Sequence, residues 1–340
     1  MRKLLNTMRE ALETGTDAVL VTVIASSGAT PRGAGARMLV TKDGRVAGTI
    51  GGGAVEYRSE KIAAQVLADR ASQTQAFSLT KEDVKNLGMI CGGAVTLYFH
   101  FVPAGDEEVI DLLREAESRF ESGCDLWLVT EVTGGGALGL YTRDAGFTFL
   151  DVPEEAESAL RSKPKTFIAG GRKFYIEKLA SSSTVYVFGC GHVGQELVPV
   201  LEHVGFRCVA LDDRPDFACA ERFPDAADVK VIDLEHIADY VTIGRDDYVA
   251  VMTRGHMFDT IVQAQALKTD CCYIGVIGSR HKKAGVFQKL REMGFTDSDL
   301  ERITTPIGLD IAAETPAEIA VSIAAQLIEL RARRNAAEAL

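Results

Sequence analysis

The sequence predicts an α/β protein of two lobes, with a doubly wound parallel sheet in the C-terminal half and an N-terminal α/β domain built on a mixed sheet. Three observations predict it. The chain has 340 residues, more than twice the common domain size of about 150. From Thr184 onward, short uncharged β-branched runs alternate with segments of helical spacing. A glycine turn, Gly189-Cys-Gly-His-Val-Gly194, joins the first of those runs to the first helix, the hallmark of a Rossmann-type half. The expected divisions are an N-terminal domain over 1–105, a connecting α/β segment with a linker over 106–182, and the Rossmann-type domain over 183–340.

The N-terminal elements follow in order. Leu4, Leu5, Met8 and Leu12 have helical spacing. Ala18 to Ile24 is short, β-branched and uncharged, so it reads as a buried strand. The polar stretch Ser26 to Gly35 breaks the pattern, and Arg37–Thr41 and Arg45–Ile50 flank Lys42-Asp-Gly44 as a hairpin. Gly51-Gly-Gly53 precedes a helix from Ala54 to Ala68, and a strand over Ala94 to Val102 follows Cys91-Gly-Gly93. Residues 106–122 form an amphipathic helix, and short strands lie within 125–132, 139–141 and 147–150. Pro153, Pro164 and the serines 181–183 place the linker between about 151 and 182.

The second half is regular. Strands are expected at 185–188, 207–211, 229–232, 248–252 and 272–277, with helices at 192–204, 259–267 and 282–293. Thr315-Pro-Ala-Glu318 has the residue types of a capping box and opens a long terminal helix reaching about Arg333.

Composition narrows the function. Hydrophobic residues make up 46% and charged residues 25%, which suits packed cores. Thirty-seven Lys and Arg against 48 Asp and Glu leave a net charge of −11, so neither nucleic acid nor a membrane surface is an expected partner. No run has the 18 or so apolar residues of a membrane helix. The first ten residues lack a signal peptide's apolar core. The seven cysteines form no CxxC pair, so a reducing cytoplasm is expected, without a disulfide framework or zinc knuckle. His100, His203, His236 and His281 lack metal-ligand spacing, so no metal site is expected.

The phosphate-loop chemistry rests on context. Gly189 allows the tight turn, Gly191 lets a diphosphate approach the backbone, and Gly194 lets helix and strand pack closely. His192 opens the helix, whose positive end favours an anion. Asp212, at the end of the next strand, is placed to accept from a ribose hydroxyl, which favours an NAD-like ligand. Arg214 either meets a 2′-phosphate or pairs with Asp213 or Asp216. Arg254, Gly278, Ser279, Arg280 and Lys282 follow later strands at the same sheet end, where the arginines suit anionic groups. His256 beside Asp259 is either a general acid/base or an anchor for its loop.

The first half carries three more glycine turns, around Arg32, around Gly51, Gly52 and Gly53, and at Cys91, Gly92 and Gly93. Such turns gather backbone donors about a bulky polar ligand. Arg32 would supply a fixed charge, and Glu56 an acceptor on its helix's first turn. Cys91 is either a reactive thiolate, for sulfur or a soft metal, or a small buried hydrophobe.

In this order the motifs resemble the XdhC/CoxI family. The resemblance rests on Gly28-Ala-Thr-Pro-Arg-Gly-Ala-Gly-Ala-Arg-Met38, Gly48-Thr-Ile-Gly-Gly-Gly-Ala-Val-Glu56 and Cys91-Gly-Gly93 in the first half. In the second it rests on Gly189–Gly194, Leu211-Asp-Asp-Arg-Pro215, Thr253-Arg-Gly-His256, Gly278-Ser-Arg280, Pro306-Ile-Gly-Leu-Asp310 and Thr315-Pro-Ala-Glu-Ile-Ala320. It implies a cytoplasmic maturation factor that binds molybdenum cofactor (molybdopterin), assists its sulfuration and delivers it to a xanthine dehydrogenase-type molybdenum hydroxylase apoenzyme. A cysteine desulfurase-type sulfur donor is the second implied partner, and Cys91 the implied contact to the cofactor or its sulfur. A homodimer is expected, to shield a labile ligand. The rival readings are an NAD-dependent oxidoreductase using His256, with Lys282 or Arg280 orienting substrate, and a structural adaptor.

Overall fold

A computed structural model describes residues 1–28, 30, 32–78, 93–134, 136–254, 256–278 and 280–337. The chain divides into two compact units, Met1–Ser181 with Asn335–Leu340, and Ser182–Arg334.

The first unit opens with α1 (Arg2–Glu13), β1 (Ala18–Ser27), β2 (Arg37–Thr41), β3 (Gly44–Thr49), α2 (Gly53–Asp69), β4 (Gln73–Ser78) and β5 (Ala94–Val102). It continues with α3 (Glu107–Ser122), β6 (Leu126–Glu131), β7 (Leu138–Thr142), β8 (Gly146–Thr148), β9 (Lys165–Ala169) and β10 (Arg172–Ala180). The strands form two five-stranded sheets, ordered β3-β2-β1-β5-β4 and β8-β7-β6-β10-β9. The described pairings in both are antiparallel, where a mixed sheet was expected. Tight turns such as 42–43 make neighbours in sequence into hairpins, and α2 carries the chain to the far edge, where β4 pairs antiparallel with β5.

β1 is uncharged because both faces of its sheet are covered. Val19, Val21 and Val23 pack with Val55, Ala63 and Val66 of α2, while Leu20 joins residues of α1, α3, β6 and β7. The helix α3 starts at Asp106, whose side chain accepts from Val109 N–H at 3.1 Å, and stops at Gly123 in the left-handed region. The stretch 151–182, read as a linker, instead carries β9 and β10, and the unit boundary falls at Ser181/Ser182. Its prolines precede a 3₁₀ turn and the start of β9. In β10 the residues Phe174 to Glu177 are all buried, so charge at 172, 173, 177 and 178 masks an inner strand. β4 also escaped the reading, because it is an exposed and mostly polar edge strand.

Arg37 of β2 and Glu177 of β10 form a buried ion pair that ties the two sheets together. Arg37 Nε donates to Thr22 Oγ1 at 3.0 Å, and Tyr175 OH donates to Glu177 Oε2 at 3.1 Å. Burial pulls the Arg37 guanidinium down to about 10. A second buried polar group is His100 of β5, stacked on Tyr98 with Nε2 at 3.2 Å from the Gly136 carbonyl. Burial pushes this imidazole down to about 4, so it is neutral in the fold.

The second unit contains β11 (Thr184–Phe188), α4 (His192–His203), β12 (Arg207–Asp212), β13 (Asp228–Val231), β14 (Tyr248–Val251), α5 (His256–Leu267) and β15 (Tyr273–Val276). Then come α6 (Arg280–Glu292), α7 (Asp297–Glu301), β16 (Ile303–Thr304) and α8 (Pro316–Ala337). Its sheet is parallel in the order β13-β12-β11-β14-β15-β16, the doubly wound 3-2-1-4-5-6 arrangement in the unit's own count. An apolar layer covers each face, which is why these strands read as continuous hydrophobic runs. The capping box of α8 is present: Thr315 N donates to Glu318 Oε2 at 2.9 Å, and Glu318 N donates to Thr315 Oγ1 at 3.3 Å. Among the described residues no helix is long and apolar enough to cross a membrane.

The buried groups generate two stability predictions. Glu177→Ala leaves Arg37 as an uncompensated interior cation and is expected to cost about 3–5 kcal/mol in urea unfolding; a loss below about 1 kcal/mol would show that the pair bears no weight. For His100, folded and unfolded chains are both neutral above its ordinary value of 6.5, whereas below it only the unfolded chain takes up the proton until about pH 4. Stability therefore falls through that window, by about 2–3 kcal/mol at pH 4.5 from this group alone. Urea midpoints of His100→Gln should decline less steeply than wild type between pH 7 and 4.5, and parallel curves would contradict the assignment.

Candidate functional site

In the first unit, strand direction gathers the glycine turns at one end of one sheet. β1 and β4 finish there, at Ser27 and Ser78, and both lie opposite Ala94, the first residue of β5. β2 starts there and β3 ends there, Arg37 lying opposite Thr49. The described residues of 28–36, the turn 50–52 before α2, and Gly93 therefore share this end. Arg32 is exposed in the first of these turns. Cys91, Gly92 and Ser279, with the side chains of His256, Arg280 and Lys282, lie outside the described residues.

Glu56 organises the middle turn. Its Oε2 accepts from Thr49 Oγ1 at 2.5 Å, from Ile50 N–H at 3.0 Å and from Gly52 N–H at 3.1 Å, while Oε1 meets Arg45 at 3.0 Å. Burial alone would raise this carboxyl, but the Thr49, Gly52 and Ile50 bonds and the Arg45 charge together hold it below its usual range. Glu56 thus braces the turn from within. Gly51, Gly52 and Gly53 have φ of 124°, 74° and 65°, a left-handed run that side chains resist. A Cβ on Gly52 would meet nothing within 4 Å, and as N-cap it offers no side chain to the first turn of α2. The N–H groups of Ile50, Gly51 and Gly52 are bonded inward, to Glu56 and Thr49, so what the turn leaves open to an anion is the positive end of α2.

The second unit repeats the device at the switch point between β11 and β14. Gly189, at φ 122°, donates its N–H to Leu211 O at 2.8 Å. A Cβ there would collide with the Met252 carbonyl at the end of β14, and one on Gly194 would collide with the Gly189 carbonyl. Both glycines are thus required by backbone packing. Gly191 differs: a Cβ on it would meet nothing within 4 Å, and it caps α4 without a side-chain bond. His192 beside it is exposed. Cys190 is buried, and burial with the Asp212 charge pushes its thiol up to about 12.

The acids and arginines here bond to one another. Asp212 is 2% exposed; Oδ2 accepts from Cys190 N–H at 2.8 Å and Arg214 Nη2 at 2.9 Å, Oδ1 from Arg214 Nε at 2.8 Å and N–H at 3.1 Å. Burial raises this carboxyl, and the Arg214 and Cys190 bonds outweigh it, leaving it below the ordinary carboxylate range. Arg254 pairs with Asp213 at 2.9 Å. Asp259 accepts from Thr253 Oγ1 at 2.7 Å and so braces the turn after β14. Gly278 lies half-buried after β15, where a Cβ would come 3.9 Å from Thr305 Oγ1.

Within each unit the structure therefore brings together the glycine turn and its acid, Gly51–Gly53 with Glu56, and Gly189–Gly194 with Asp212. It gives Asp212 an arginine clasp. Sequence reasoning missed Arg45 and Thr49 as partners of Glu56, and Phe217 beneath Arg214. The polar pair flanking Gly48, seven and eleven residues before Glu56, was the available signal. Among the described residues no group of three or more His, Cys, Asp or Glu could hold a metal ion.

Comparison with known proteins gives these turns a context. Residues 185–327 match the XdhC Rossmann domain, and residues 11–78 match the XdhC and CoxI family. The chain is 25% identical over 334 residues to a probable xanthine dehydrogenase subunit of Bacillus subtilis (strain 168), covering 96% of this chain and 98% of that one. It is 21% identical over 330 residues to the molybdenum cofactor insertion chaperone PaoD of Escherichia coli (strain K12), covering 97% and 88%. A 21% match to the uncharacterized protein YqeB of Escherichia coli spans 91% of this chain but 42% of that relative. A crystal structure described as a xanthine dehydrogenase from Bacillus halodurans shares the fold, with a TM-score of 0.78 over 97% of this chain and 96% of that one at 24% identity. With both halves matched in order, the chain belongs to the XdhC and CoxI family.

Proposed function

We propose that this chain binds molybdenum cofactor, assists its sulfuration and passes it to a molybdenum hydroxylase of the xanthine dehydrogenase type. The observation that carries the reading is that two glycine turns share one sheet end with Gly93, and that α2 starts there at Gly52 with no side-chain cap. The likeness to PaoD along nearly the whole chain supports the same reading. Molybdopterin carries a phosphate, and a positive helix end behind a side-chain-free turn suits that group.

In this reading Gly51, Gly52 and Gly53 hold the phosphate, with Arg32 adding charge, and Glu56 keeps the turn in shape. Cys91 and the glycines after it serve the sulfur side. Gly189, Gly191, His192, Gly194, Gly278, Ser279 and Arg280 form a second anion-binding surface. The cofactor supplies the molybdenum, held on its own dithiolene, and this chain's residues bind and orient the organic part. The partners are the hydroxylase apoenzyme and a cysteine desulfurase-type sulfur donor, and the chain works in the cytoplasm as a homodimer.

The test is direct. Protein purified from a pterin-competent host should carry molybdopterin, read as oxidised-pterin fluorescence, and protein from a pterin-deficient host should not. Gly52→Val forces a side chain into a left-handed turn, costing about 1–2 kcal/mol, and should cut pterin occupancy at least tenfold while the chain stays folded. A pterin-free wild type, together with normal hydroxylase activity in a strain lacking this chain, would refute the reading. Sedimentation at micromolar concentration should give twice the chain mass; a strict monomer would remove the dimer.

A further inference from the structure

The nucleotide-type fold of the second unit raises the question of which nucleotides it admits. In such folds the acid at the end of the second strand accepts from the ribose hydroxyls of a dinucleotide. We propose that Arg214 is a specificity-determining residue: by clasping Asp212 it closes the ribose position, so the unit rejects NAD and other adenosine dinucleotides.

The geometry is complete on the Asp212 side. A carboxylate offers about four lone-pair positions. Here four donors take them, Arg214 N–H and Nε on Oδ1, and Cys190 N–H and Arg214 Nη2 on Oδ2. Arg214 is itself fixed, its guanidinium lying 3.6 Å over the Phe217 ring. Arg222 shares that ring at 4.8 Å and donates to Gln195 of α4 at 2.7 Å. The neighbouring acid offers no substitute, because Asp213 is paired with Arg254. The same clasp keeps the Arg214 fork turned away from a ribose 2′-phosphate, so a 2′-phosphorylated dinucleotide gains nothing from it. The residues present therefore do not fit the ribose of NAD. Gly191 stays open above the helix end, so what the unit can still take is a phosphate-bearing group read without its ribose diol.

This inference stands on the second unit alone and does not depend on the pterin reading, whose fluorescence assay succeeds or fails separately. The experiment is isothermal titration of the full chain with NAD⁺, and with ADP against 2′,3′-dideoxy-ADP. Wild type should show no NAD⁺ binding at millimolar ligand and no preference for ADP over its dideoxy form. Arg214→Met keeps a hydrocarbon stem over Phe217 and removes both side-chain bonds to Asp212. It should tighten NAD⁺ binding at least tenfold and create a preference for the intact diol, and adding Asp212→Asn should abolish both gains. A wild-type chain that binds NAD⁺ in the micromolar range, or prefers ADP tenfold over the dideoxy form, overturns the proposal. A folded Arg214→Met with no gain overturns it too, folding being checked by thermal melting. Arg214→Gln is the second variant, and the wild-type comparison decides the matter if neither variant folds.

Discussion

A turn that presents main-chain N–H groups to an anion has to hold its shape without side chains to pack it. In this chain a buried carboxylate supplies that support from behind, once in each unit. Glu56 draws in the N–H groups of Ile50 and Gly52, and Asp212 draws in that of Cys190. Each acid is secured in turn by an arginine, Arg45 or Arg214. Because the acids are bonded inward, the outward face of each turn consists of backbone and a helix end, whose dipole favours an anion.

The two turns differ in how much of the acid the arginine takes. Arg45 meets Oε1 of Glu56, while Oε2 takes the donors of the turn itself. Arg214 forks onto both oxygens of Asp212 and is held flat by an aromatic ring. A planar fork matched to a carboxylate is a specific arrangement that lysine could not reproduce. In the reading proposed above, its consequence is chemical: the fold keeps the phosphate end of a nucleotide site and gives up the sugar end.

Below the first site lies a second organising contact. Arg37 begins β2 directly after the turn 28–36, and its partner Glu177 belongs to the other sheet of the same unit. A Cβ on Gly35 would come within 3.2 Å of the Glu177 carboxylate, so the glycine turn rests on this pair. A buried ion pair costs desolvation and is weak as a source of stability, but losing one partner is severe. Its role here is positional, joining the site-bearing sheet to the sheet formed by the connecting segment.

Much of the architecture was legible in the residues themselves. Uncharged runs such as Ala18–Ile24 and Val185–Phe188 read as covered strands, Thr315 marked a helix start, and the spacing from Gly189 to Asp212 announced a strand, turn, helix and strand. Those features are local, because periodicity, caps and glycine φ act within a few residues. β4, β9 and β10 were hidden because an exposed edge and a charged inner strand do not alternate cleanly. The sequence by itself determined that Glu56 and Asp212 stand near glycine turns. Only the tertiary structure decided that they face inward, onto Thr49, Arg45 and Arg214, since which donor fills a carboxylate is settled by three-dimensional packing and burial rather than by spacing along the chain.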